Sequence, residues 1–367
     1  MSRTFPAFVG LGLAILLAGC ASRTEVPLPT FLRTAWTDYV ATYVSPEGYV
    51  LDRTRGEGEV ISEGQGYALL RAAWEGDTET FDRVFAWTER TLRRPDGMYA
   101  WRWTPRDGGR ILDANTATDG DQEIAEALLM AARRFERPWL VARAAEILRA
   151  VRTHTGIPVG AGWFPSAGNW AVGERIVNLS YFLPYAYGDF ARADPDGGWE
   201  QALDTGYALL AAAMARPGVV FPPDFMVATP DGGVAPLPAG STLSRAFSFD
   251  AVRLYMRLAA DCRLHGRPVA CADPLHAAAL AARLERDGRL VTRYALDGRA
   301  ESDEESLSFY GCVLPAFEQH APEAARRLRA GRLSQAALRP ILRAPDRYYD
   351  LNWAWFGLAV GEGYPGV

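Results

Sequence analysis

Three acidic groups stand at the starts of apolar helical stretches, each in company that an ordinary helix cap does not require. In Ile61-Ser62-Glu63-Gly64-Gln65-Gly66-Tyr67, Ser62 can cap a helix and Glu63 falls in its first turn. The helix dipole favours an acid there in any protein, so Glu63 has a structural reading beside the chemical one. The paired glycines favour chemistry, because they weaken a helix unless a backbone or ligand comes close. The run Asp113-Ala114-Asn115-Thr116-Ala117-Thr118-Asp119-Gly120-Asp121 carries more acid and hydroxyl than one cap uses. It lacks the spaced terminal glutamate of an EF-hand calcium loop. In Ser248-Phe249-Asp250-Ala251-Val252-Arg253, Arg253 either makes a plain i,i+3 ion pair with Asp250 or keeps a general base ionised.

Other chemistries are poorly provided for. All 39 basic residues are arginine, which excludes Schiff-base lysines and the P-loop lysine. The four histidines (154, 265, 276 and 320) show no i,i+4 pairing and no CxxC company, so no metal site and no cofactor are expected. A net charge of −5 without a basic stripe offers nucleic acid no footprint. Carboxylates are left to do the work.

The N-terminus reads as a targeting segment. Arg3 precedes the apolar run Phe8 to Leu17, too short to span a membrane, and Leu17-Ala18-Gly19-Cys20 resembles a bacterial lipobox. That resemblance implies a signal peptide over 1–19, lipidation of Cys20, and a tether over 20–30. Ala21 implies sorting to the periplasmic side of the outer membrane. In that compartment Cys262 and Cys271, flanking a polar turn, are a disulfide candidate, and Cys312 is expected as a buried thiol.

The elements that must position the acids are helices. From residue 31 to 367 the chain reads as one domain of roughly a dozen helical segments of about 12–18 residues. They include Phe31–Tyr43, Gly64–Trp74, Thr78–Leu92, Asp121–Phe135, Pro138–Thr153, Gly198–Ala213, Asp250–Ala260, Pro274–Arg286, Ser306–His320, Pro322–Leu338 and Leu351–Ala359. Val291–Tyr294 is the clearest strand-like run. No internal repeat supports a solenoid, so the expectation is all-α: a closed (α/α)6 toroid. The long loops 93–118, 154–180 and 214–248 should build a substrate cleft on one face.

Five ordered motifs carry a resemblance: Ser62-Glu63-Gly64-Gln65-x-Tyr67, Ala100-Trp101-x-Trp103, Asp113-x-Asn115-x-Ala117-Thr118-Asp119-Gly120-Asp121, Ser180-Tyr181-Phe182-x-Pro184 and Phe249-Asp250-Ala251-x-Arg253. Together they resemble glycoside hydrolase family 8, most closely its periplasmic cellulases of cellulose-secretion operons. The resemblance implies inverting, endo-acting hydrolysis of a linear β-1,4-glucan, with Glu63 as general acid and Asp250 as general base. Asp119 is implied to hold the distorted sugar and Tyr181 to position the water. Chitosan, xylan or mixed-linkage glucan are alternative substrates, and a non-catalytic glycan-binding lipoprotein of an export assembly is the alternative from another class. Gly66 and Phe249 depart from the usual serine and tyrosine.

Inversion requires one protonated and one ionised carboxyl, roughly 6.5–9.5 Å apart. The helix start should lower Asp250, whereas Glu63 needs raising, and Asp119 is the like charge expected to do it. Trp101, Trp103, Asn115, Asp121, Gln65, Arg253, Tyr185 and Trp170 are the expected substrate-binding residues, with Trp163 and Tyr187 as further cleft aromatics. The partners expected are a β-glucan, a membrane through the lipid, and export machinery, the protein itself being a monomer.

Overall fold

The computed structural model describes residues 25–56 and 58–366. The expected leader and Cys20 lie outside the described residues. Among these described residues, twelve helices of nine residues or more alternate between two rings. They are α1 (Leu28–Tyr43), α2 (Ser62–Glu75), α3 (Thr78–Thr91), α4 (Thr118–Arg134), α5 (Trp139–Thr155), α6 (Pro184–Ala193), α7 (Trp199–Met214), α8 (Arg253–His265), α9 (Ala277–Asp287), α10 (Leu307–His320), α11 (Pro322–Ala330) and α12 (Tyr348–Gly361).

Sequence patterning sorts them. The odd-numbered helices are amphipathic: α3 buries Phe81, Val84, Phe85 and Trp87 and turns Glu79 outward. The even-numbered helices have no solvated face. Every residue of α4 from Thr118 to Ala132 is buried, as is α12 from Leu351 to Val360. The even helices therefore form the inner ring of an (α/α)6 barrel. Glycines let that ring close tightly. A Cβ on Gly357 would lie 2.0 Å from the Gly311 carbonyl oxygen, so α10 and α12 cross almost backbone to backbone. Between α12 and α2 the ring closes through Tyr67 against Trp353 and Phe356, and through a 3.1 Å bond from Arg71 to Asn352.

All six inner helices begin on one face. Glu63, Asp119 and Arg253, at the starts of α2, α4 and α8, meet there. Tyr349 of α12 donates to the Phe249 carbonyl before α8, and Asp350 of α12 accepts from Ser308 at the start of α10. The opposite face gathers their ends, with Arg133, Arg192 and His265 around one cavity.

Three expectations need correction. Local sequence predicts no helix at α6, because Pro184-Tyr185-Ala186-Tyr187-Gly188 has poor helix propensity and is held by burial instead. Val291–Tyr294 forms no strand; Tyr294 makes only isolated bridges to Phe247 and Ala300. The described strands are short and lie mainly in the three long loops: β1 (Val60–Ile61), β2 (Arg102–Thr104) and β3 (Arg110–Asp113) in one sheet, the hairpin β4 (Gly156–Val159) and β5 (Gly162–Pro165), and β6 (Ile176–Val177), β7 (Met226–Ala228) and β8 (Val234–Ala235) in a third. The stretch Pro322–Leu338 breaks at Gly331, leaving one separate turn over Gln335–Leu338. Cys262 at the end of α8 is bonded to Cys271, and Cys312 is a buried free thiol.

Candidate active site

Arg253 organises the inner-ring starts. It is 1% exposed, and its guanidinium meets three carboxyls from three elements: Nη1 lies 2.5 Å from Glu63 Oε1 and 3.3 Å from Asp119 Oδ2, and Nη2 lies 2.5 Å from Asp250 Oδ1. Nη2 also donates to Ser180 Oγ at 2.9 Å. The nitrogens of a rigid guanidinium fork are ~2.3 Å apart, so the nearest oxygens of Glu63 and Asp250 lie within about 7 Å of each other. Arg253, expected to bind substrate, is instead buried as the spacer between the carboxyls.

Each acid is placed by local packing. Glu63 is in the first turn of α2, where Tyr67, one turn on, donates its hydroxyl to Glu63 Oε1. The N-cap position is Ile61 rather than Ser62, whose Oγ is buried without a partner among the described residues. The flanking glycines answer to close approaches. A Cβ on Gly64 would meet the Tyr348 hydroxyl at 2.4 Å, one on Gly66 would meet Glu123 at 2.9 Å, and one on Gly120 would meet Ser62 Oγ at 2.4 Å. Asp119 is buried in the first turn of α4 and accepts from the Gly120 amide at 2.9 Å.

Asp250 precedes α8, in a turn pinned by Asp224. That buried acid accepts from the amides of Ser248 and Ala251 at 3.0 and 2.8 Å, and from the Ser248 hydroxyl. The Asp250 side chain is 30% exposed and that of Glu63 15%, so both reach solvent.

The electrostatics differ from expectation. Three carboxyls share one guanidinium, and the surplus negative charge is relieved by holding protons. Burial pushes Asp250 up to about 7, Arg253 pulling it down while Asp224 and Glu63 add to the rise. The expected lowering by a helix start fails because Asp250 lies outside the helix and is largely desolvated. Asp119 is pushed up to about 6 by burial and by Glu63. Asp119 does not face Glu63 as a bare like charge, since Arg253 Nη1 is bonded to both.

Tyr181, half-buried, sits on a single 3-10 turn (Leu179–Tyr181) with the Arg253 guanidinium 5.4 Å from its ring centroid. The Trp101 backbone ties the rim together: its carbonyl accepts from Ser62 at 3.0 Å and its amide donates to Asn115 at 2.8 Å. Asn115 Oδ1 accepts from Asn169 at 3.1 Å, beside Trp170, which is 42% exposed. Trp101, Asn115 and Trp170 thus remain accessible on the same rim.

Other expected binding residues are core. Gln65 is fully buried, bonding Val50, Gly48 and Thr88. Asp121 is fully buried under the Tyr99 amide, and burial raises it to about 8. Trp103 packs edge-on to Trp87, and Tyr185 turns its hydroxyl to Glu126. Trp163 and Tyr187 both pack against Trp199. Burial is common to all of them. Sequence reasoning missed Asp224, Ser180, Glu123 and Arg257. The last two had a signal, since charged residues inside the apolar runs of α4 and α8 must be paired once buried.

Residues 3–267 match the family Glycosyl hydrolases family 8. Over 232 residues the chain is 31% identical to a probable endoglucanase of Novacetimonas hansenii, covering 62% of this chain and 67% of that one. Over 241 residues it is 34% identical to an endoglucanase of Xanthomonas axonopodis pv. citri, covering 60% and 58%. The matches take in about three-fifths to two-thirds of these curated relatives' length. The fold is similar to the solved structure of an endo-beta-1,4-glucanase from Acetobacter xylinum, with a TM-score of 0.72 and 26% identity over 91% of this chain and 99% of that one. Motifs, barrel and carboxyl cluster agree: the chain belongs to glycosyl hydrolases family 8.

Proposed function

We propose that the protein is an endo-acting, inverting hydrolase of a β-1,4-linked glucan. The observation that carries this reading is the pair Glu63 and Asp250, both partly open to solvent and held on the two arms of one buried arginine. Glu63 Oε1 is engaged by Tyr67 and Arg253, so the transferable proton is assigned to Oε2. It passes to the glycosidic oxygen as the bond to the anomeric carbon breaks. Water attacks that carbon from the opposite side and gives its proton to Asp250. A base titrating near neutrality is well matched to this step.

Asp119 supplies negative charge beside the developing oxocarbenium ion, and Tyr181 orients the water. The choice of glucan rests on the relatives, which are named endoglucanases. Periplasmic attachment through lipidated Cys20, action as a monomer and trimming of exported polymer belong to the same proposal.

The test follows product anomers by NMR during hydrolysis of carboxymethylcellulose, with mixed-linkage glucan, xylan and chitosan in parallel. The α-anomer is expected first, from the cellulosic substrate. Early β-anomer would overturn inversion, and preferred cleavage of another polymer would overturn the substrate.

A further inference from the structure

One helical turn beyond Arg253 on α8 lies a second buried arginine. Arg257 is 1% exposed and donates through Nη1 to the Ser180 carbonyl and through Nη2 to Glu123 Oε1 at 2.5 Å. Glu123, on α4 one turn past Asp119, is itself 2% exposed. The two arginines therefore grip one residue from two sides, Arg253 at the Ser180 side chain and Arg257 at its backbone. The turn is also tied to α4 by Gln122, which donates to the Tyr181 carbonyl at 3.0 Å.

We infer that Arg257 and Glu123 are positioning residues, which hold the Ser180–Tyr181 turn at the height where the Tyr181 hydroxyl meets the attacking water. The turn needs such a tie. It has one 3-10 turn of its own and an Asn178 side-chain cap on the Ser180 amide. Without the Arg257 bond, the Ser180 carbonyl would be a buried acceptor lacking its charged donor, a loss that shifts backbone.

The ion pair suits this duty. A lone guanidinium at this depth would carry a desolvation cost that Glu123 offsets. Glu123 in turn packs close to Gly66 on α2, where an added Cβ would meet the Glu123 Cβ at 2.9 Å. Rigid backing on both helices converts a charge pair into a fixed point. The inference rests on the proposed role of Tyr181 and goes beyond it by naming what sets that tyrosine's place.

The test is a double-mutant cycle on the full chain: Arg257→Lys, Tyr181→Phe and both together, with Glu123→Gln as a milder change to the same tie. Thermal melting and circular dichroism first establish that each variant is folded. Arg257→Lys loses the fork geometry and is expected to lower kcat on the order of 10- to 100-fold with little change in KM. Glu123→Gln keeps an acceptor for Arg257 but removes the charge that holds it, and is expected to lower kcat in the same sense by a smaller factor. In the Tyr181→Phe background, Arg257→Lys should have almost no further effect, because both act through the same hydroxyl.

Multiplying effects in a slow Tyr181→Phe enzyme would overturn the inference. A Tyr181→Phe enzyme as fast as wild type would instead overturn the role of Tyr181 on which it rests.

Discussion

The two ends of α8 are built for opposite purposes. At its start, Arg253 gathers Glu63, Asp119 and Asp250, two of which are partly open to solvent. At its end, Cys262 is bonded to Cys271, and His265 meets the Tyr185 carbonyl at 2.9 Å beside a cavity of about 310 Å³. Despite that volume, its accessible charges, Arg133 and Arg192, are spent on Asp189. Charge surplus, more than cavity size, separates the chemical end from the structural one. An end where three acids share one base has protons to trade beside solvent, whereas the accessible arginines of the other end are already paired.

The largest expected effect tests the chemical end. Asp250→Asn keeps the shape and removes the base, so kcat should fall by about 10²–10⁴ with the fold intact. Glu63→Gln should fall similarly on polymer. In the wild type, Asp250 works only when ionised, so kcat/KM should climb as pH rises through the range where Asp119 and Asp250 titrate together, about 6 to 7. An acidic limb in the ordinary carboxylate range would show that the surplus charge is neutralised some other way.

How far the sequence reveals this contrast depends on what kind of contact fixes each residue. The glycines beside Glu63 signalled a close approach, and the approach is there, from Tyr348 and from Glu123. Helical periods reveal roughly a dozen segments, most plainly in the odd helices, which keep one wet face. Local sequence pairs Arg253 with Asp250 and offers it to substrate, but not to Glu63 and Asp119, since those bonds span 190 and 134 residues. Gln65 and Trp103 carry the same polar or aromatic side chains as a binding residue would. Only their burial against Thr88 and Trp87 separates structure from site. Helix α6 shows the same limit, being held by packing that local propensity does not encode.

The structural end answers to stability alone. Replacing Cys262 and Cys271 together with alanine opens a link between residues nine apart. Loop entropy puts the loss at about 2–3 kcal/mol. Tm should drop, and kcat of the folded variant at 25 °C, where Arg253 is undisturbed, should match wild type. A tenfold fall in kcat would mean that the disulfide tunes the far end of α8, and the division between the ends would fail.

The smallest effect concerns Glu126, a buried acid of the structural end. Its Oε2 accepts from Tyr185 at 3.2 Å, and burial pushes it up to about 8 against the opposing pull of Arg257 and Arg133. The unfolded chain releases this proton near the ordinary value of 4.5, while the folded chain keeps it until about 8. Between those values the native state binds more protons, so stability must decline as pH rises through the interval. Asp121, raised to about 8, acts in the same direction. Glutamine mimics the protonated acid. Glu126→Gln should therefore match wild type in denaturant midpoint near pH 5 and exceed it near pH 8, with kcat unchanged at both. If the two proteins lost stability in parallel across that range, Glu126 would be ionised in the native state, and the structural end would hold a charge that the present pairing leaves unanswered.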